Sequence, residues 1–124
     1  MRRAMAESYI FLGKLNEGDA LFENFLKTDP QWGWGWINWS DCYWLFHRNK
    51  DNEKAEAILK RGLSVEGLRD KIDVLDRLMD FYDENDRKAE ADAIERELRK
   101  LQEIEHEASR EFNQKITQQV RRKK

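Results

Sequence analysis

Two sets of side chains carry the chemistry open to this sequence. The first is aromatic: all five tryptophans, Trp32, Trp34, Trp36, Trp39 and Trp44, fall in one stretch together with the only proline, Pro30. An indole is a large apolar plate with a single N–H donor, so such a stretch must be a core, a binding surface, or both. The second is acidic: Asp73, Asp76, Asp80 and Asp83, followed by Glu84, recur at intervals of three and four. On a helix these carboxylates share one face, where like charges disfavour the helix by roughly 0.2–0.5 kcal/mol per pair. The pattern is that of a solvated helix face or of a surface awaiting a cation. Aromatic plates beside carboxylates suit a Lys- or Arg-bearing partner, through cation–π contact and charge pairing.

Catalytic chemistry has little support. His47 and His106 lie far apart and lack companions at metal-ligand spacing, whereas a zinc site needs three or four protein donors. Cys42 is the only cysteine and has no evident neighbouring base, so it reads as a small buried hydrophobe rather than a nucleophile. Carboxylates are abundant but sit on exposed helical faces, and general acid–base work needs them in a water-poor cleft with shifted pKa values. The sequence contains no Gly-rich phosphate loop. An enzyme is not expected, nor a metal or cofactor. The Asn38-Trp39-Ser40 sequon falls within a helix and is set aside.

The chain has 124 residues, 40% hydrophobic and 39% charged. That length fits one domain with a self-standing core. The net charge of −2 provides no global field for nucleic acid or membrane. A single cysteine allows no internal disulfide, which fits a reducing compartment, the cytoplasm by default. No apolar run follows Arg2 and Arg3, so a signal peptide is not expected. No segment approaches 18 consecutive apolar residues, so no membrane span is expected.

Glu, Lys, Arg, Leu and Ala dominate, and the reading is all-α. Helices are expected over 4–14, 17–28, 33–47, 52–64 and 69–84, with a turn over 13–18. Thr28-Asp29-Pro30 closes the second helix, because a residue before proline is pushed out of the helical region. From Arg87 nothing stops a helix. Its stripe of Ala91, Ile94, Leu98 and Leu101 is strong, and the continuation through Ala108, Phe112, Ile116 and Val120 is thinner. Residues 1–101 are assigned to a helical repeat domain and 102–124 to a charged C-terminal helix or tail, partly frayed. That segment docks as a capping helix, pairs with another chain, or frays.

Helix pairs recur with a period near 34 residues, and the first unit resembles a tetratricopeptide repeat. Ala6, Tyr9, Gly13, Gly18, Phe22 and the closing Asp29-Pro30 occupy that family's spacings. The second unit matches through Trp36, Trp39, Ser40 and Tyr43, but Ala55 arrives about three residues late. The third matches through Leu75, Leu78, Met79, Tyr82 and Ala91, with Asp86 where a turn glycine is expected. The run Pro30 to Trp39 is also similar to tetratricopeptide-like regions of bacterial proteins that end in a cysteine-rich zinc module of the SEC-C type. This sequence carries no such module, and the basic end Arg121–Lys124 could mark a cut in a longer protein.

The resemblance implies a solenoid of about three helix pairs, closed by a C-terminal capping helix, whose first helices form a concave wall for extended peptides. It places Arg3, Glu7, Ile10 and Phe11 on that wall from the first unit, and Trp34, Ile37, Asp41, Trp44 and Leu45 from the second. Asp73, Asp76, Asp80, Asp83 and Glu84 follow from the third. Trp36, Trp39 and Tyr43 take packing positions instead. The function implied is protein binding without catalysis, with Trp34, Ile37, Asp41, Trp44, Asp73, Asp76, Asp80 and Asp83 as the groove for a basic or amphipathic peptide. A second reading is a structural unit in which Phe112, Ile116 and Val120 pair two chains as a homodimer. A third is a weak nucleic-acid adaptor using Lys115 and the Arg121–Lys124 tail, which would be salt-sensitive and blind to sequence.

Overall fold

The computed structural model describes residues 2–46 and 49–122, with side chains for 4–46 and 49–117. His47, Lys123, Lys124 and the side chains of Arg3, Val120 and Arg121 lie outside that description. Six helices follow one another: α1 Arg2–Phe11, α2 Leu15–Thr28, α3 Gly33–Trp44, α4 Asn52–Leu63, α5 Lys71–Glu84 and α6 Lys88–Arg122. Among the described residues there is no strand. Outside α3, which opens Gly-Trp-Gly-Trp and owes its helix to packing, the helices are rich in good helix formers, and several of their ends fall where the chain supplies a stop. Pro30 follows α2. At the start of α4 the Asp51 carboxylate accepts the Lys54 backbone N–H at 3.1 Å, a side-chain N-cap.

The helices pack as three hairpins, α1 with α2, α3 with α4 and α5 with α6. The first helices also touch one another, α1 against α3 and α3 against α5. Their direction is fixed by bonds at both ends. Asn49, just after α3, donates its amide to the Ile10 carbonyl near the end of α1. Asn52 donates to Asn85 at the end of α5. At the opposite end the Arg69 N–H, before α5, reaches the Gln31 carbonyl, before α3. So α1, α3 and α5 run parallel, side by side, with α3 in the middle.

Each hairpin turn contains a residue in the left-handed region: Gly13 at φ 84°, Asn49 at φ 60° and Asp86 at φ 57°. Asp and Asn are the non-glycine residues that tolerate this conformation best. Asp86 therefore takes the backbone role expected of a turn glycine. The late arrival of Ala55 is also explained: α3 stops at Trp44, and the connection to α4 at Asn52 is longer than the other two.

The core is aromatic at its centre. Phe22 stacks on Trp39 at 5.7 Å between centroids, Trp39 stacks on Trp36 at 6.1 Å, and Trp44 meets Phe81 edge-on at 5.5 Å. Full burial of each such side chain contributes about 1.5–3 kcal/mol. Close approach is bought with glycine at two joints. A Cβ on Gly62 would lie 2.6 Å from the Trp36 ring, and one on Gly33 would lie 2.1 Å from the Arg69 carbonyl oxygen.

Two expectations are corrected. The turn after α1 is shorter than 13–18, since α2 begins at Leu15 and holds Gly18 within it. Gly18 is a packing residue there: a Cβ would meet Ile10 Cγ1 at 2.4 Å. There is also no separate capping helix among the described residues. With no glycine, proline or left-handed residue among the described residues after the Asp86 turn, α6 runs on as one helix of 35 residues. Its first half packs on α5, while residues 102–117 are all exposed.

Candidate functional site

The three parallel helices α1, α3 and α5 present one continuous face, tied across its middle by charge. Asp41 on α3 lies 3.6 Å from Arg77 on α5 (Oδ1 to Nε), and Glu7 on α1 is near enough to act on the same carboxylate. Burial is the largest influence on Asp41 and pushes it up to about 6, with Glu7 adding to the rise; Arg77 and the Trp44 indole N–H oppose it. The Trp44 N–H favours the charged form without reaching hydrogen-bond geometry. Asn38 Nδ2, Asp41 Oδ1 and Trp44 Nε1 are covered and have no hydrogen-bond partner among the described residues.

Helical spacing extends this face in both directions. Trp34 is seven residues before Asp41, hence on the same side of α3. It is 39% exposed, the most open of the five indoles. Asp73 and Asp80 flank Arg77 at four and three residues on α5, with Asp76 and Asp83 toward one edge of that arc. All four are exposed. Asp80 is pushed up by partial burial first and then by Asp76, with Asp83 and Glu84 acting the same way and Arg77 opposing. Among the described residues no cation is paired with Asp73, Asp76, Asp80 or Asp83; Arg77, the one cation in their midst, is drawn to Asp41.

Two of the expected groove residues are not on an open wall. Ile37 is fully buried and Trp44 is only 4% exposed. The cause is the position of α3 between its parallel neighbours: Trp44 is sealed by Phe81 of α5. Trp36 and Trp39 are buried as expected. Their N–H groups are satisfied inside, Trp36 donating to the Pro30 carbonyl at 2.8 Å and Trp39 to Asp19 at 2.8 Å.

The apolar part of the face lies elsewhere. At the C-terminal ends of α1 and α3, Phe11 (51% exposed), Leu12 and Phe46 (41% exposed) line a cleft of about 420 Å³ together with Ala4, Glu7 and Ser8. Phe11 and Leu45 were legible as wall positions from the resemblance. Phe46, Leu12 and Arg77 were not. Arg77 could have been found from its spacing within the acidic ladder.

Two further polar clusters are structural ties. Asp19 on α2 accepts from Trp39, from the Tyr43 hydroxyl at 2.5 Å and from Lys54 at 2.5 Å, locking α2, α3 and α4 together. Glu56 on α4 accepts from Tyr82 at 2.8 Å and from Arg87 at 2.6 and 3.0 Å, binding α4 to the α5–α6 hairpin. Burial favours a neutral Glu56, but Arg87, Lys60 and Tyr82 outweigh it and hold the group at about 2. Cys42 is buried, and burial first, then Glu7, Asp41 and Asp19, push its thiol up to about 12, far from the thiolate a nucleophile needs. Among the described residues no three His, Cys, Asp or Glu side chains come together to hold a metal ion, and no helix is long and apolar enough to cross a membrane.

Taken together, the chain is an all-helical protein of three hairpins with an acidic, partly aromatic face on its first helices. Comparison with models of known protein families, with curated proteins and with solved structures finds no match.

Proposed function

We propose that this chain is a tetratricopeptide-like stack of three helix pairs that binds a basic, apolar-bearing peptide along the face of α1, α3 and α5, without catalysis. Support for the stack comes from the hairpin pairing, the parallel first helices and the left-handed turn residues recurring at one end. The observation that carries the binding reading is the pairing of Arg77 with Asp41, which leaves Asp73, Asp76, Asp80 and Asp83 with no ion-pair partner among the described residues. A Lys- or Arg-rich partner supplies that charge. Apolar side chains of the same partner enter the Phe11–Phe46 cleft, and Trp34 provides a half-open plate for a cation or a ring. The carboxylates are solvent-exposed, so the charge term steers association and is weakened by salt, and the aromatic end supplies the desolvated anchor.

The test is a calorimetric titration with peptides alternating Arg or Lys with Leu, against acidic peptides of the same length. The wild type binds the basic series. Asp76→Lys with Asp80→Lys weakens it at least tenfold, and Phe46→Ser does the same with less salt dependence. Equal affinity for basic and acidic peptides, or no loss in either variant, overturns the reading.

A further inference from the structure

The half of α6 that leaves the body continues the same stripe that docks it. Leu98 is buried and Leu101 half-buried against the rest of the fold, and on the same side follow Ile104, Ala108, Phe112 and Ile116. Nothing covers these: Ile104 is 62% exposed and Phe112 63%. A helix of about 1.5 Å rise per residue carries this apolar face roughly 20 Å beyond Leu101. Isolated helical segments of this length are marginal in water unless an amphipathic face is covered.

The charges along the overhang say what covers it. Its proximal part, 103–111, holds Glu103, Glu105, Glu107 and Glu111 against one arginine, Arg110. Its distal part, 112–122, holds Lys115, Arg121 and Arg122 and no carboxylate. The segment is therefore acidic at its root and basic at its tip.

We propose that the overhang is covered by the overhang of a second copy, paired antiparallel about Phe112. That arrangement sets each acidic root against the other copy's basic tip. Parallel pairing sets acid on acid and base on base, which destabilises the pair. About a two-fold axis at Phe112, helix position 108 faces 116 and position 104 faces 120, so apolar positions meet apolar positions throughout. The basic end of each helix also arrives at the root of the other. A cleft of about 440 Å³ lies there, lined by Leu68, Ile72, Leu101 and Ile104 with Asp70 and Asp73 among its acids. The interface is isologous and closed, as a two-fold dimer requires. It shares only Asp73 with the acidic face of α1, α3 and α5, and none of the variants that test it touches that residue, so it stands or falls separately from peptide binding.

Light scattering of the full chain across concentration reads the assembly. The expected mass rises from 15.0 kDa to twice that value, and Arg121→Glu with Arg122→Glu shifts the midpoint at least tenfold to higher concentration. Adding Glu103→Lys and Glu105→Lys to that variant restores pairing. Direction is read by disulfide trapping in a Cys42→Ala background, with Phe112→Cys and Ile104→Cys made separately. Antiparallel pairing cross-links the first rapidly and not the second, whose two copies lie about 24 Å apart. A monomer at every concentration, failure of the charge swap to restore pairing, or rapid cross-linking at position 104 overturns the proposal. Circular dichroism of each variant checks that the six-helix body is intact.

Discussion

At the scale of single residues, the two half-buried carboxylates Asp41 and Glu56 respond to pH with opposite sign. Burial lifts Asp41 to about 6, above its ordinary 3.8. The folded chain then keeps a proton that the unfolded chain has released, so this residue's contribution falls as pH rises from about 4 to about 6 and stays low above that. Asp41→Asn is expected to raise stability at pH 7 by up to about 3 kcal/mol, at 1.36 kcal/mol per pKa unit, and to change little at pH 4. Urea unfolding at the two pH values checks it; an equal effect at both would show that burial does not govern this group. Gly33 makes a different kind of prediction. A methyl group there collides with the Arg69 backbone, so Gly33→Ala is expected to cost about 1–3 kcal/mol by overpacking despite the better helix propensity of alanine.

Among elements, the tie that matters most is Glu56, which joins α4 to the α5–α6 hairpin through Tyr82 and Arg87. Its pKa is held at about 2, below the ordinary 4.5. Its stabilisation is therefore complete above about 4.5 and lost as pH falls toward 2. Glu56→Gln is expected to lower stability at pH 7, by up to about 3 kcal/mol, and to have little effect near pH 2. Fluorescence-monitored melts at the two values decide it. By contrast, residues 102–117 are all exposed and only Ile104 and Glu105 approach the body, at the rim of the cleft beside Leu68 and Ile72, so deleting 103–124 leaves the thermal midpoint of a dilute sample within a few degrees.

Much of this level was legible in the sequence. Pro30, the apolar stripes and the absence of breakers after Arg87 placed all six helices, to within a few residues at their ends. The start of α2 was misplaced because Gly18 reads as a turn signal when taken alone; its true role, admitting Ile10 of α1, exists only in three dimensions. The unbroken run of α6 was readable, and its far half is exposed.

For the whole molecule, the alternation of packing and wall residues was only half visible. Trp36 and Trp39 were assigned inward because the resemblance gives them packing positions, and they are buried. Trp44 and Ile37 were assigned outward because a wall position was treated as open wherever it occurs. In a stack of three, the middle first helix is flanked on both sides, and part of its wall becomes core. The aromatic component consequently moves to the rim, at Phe11 and Phe46, where no further helix covers α1 and α3.

The most direct test of peptide binding along this face is the set of five indole N–H resonances, followed by NMR while an alternating Arg–Leu peptide is added. Trp34 is the open indole, whereas Trp36 and Trp39 are bonded internally to Pro30 and Asp19. The Trp34 signal is expected to shift in a saturable way, together with backbone signals of Phe11, Phe46 and Asp80, while Trp36 and Trp39 stay in place. Saturable binding that leaves Trp34 and those three residues unmoved, with shifts confined to α6 beyond Leu101, would contradict it.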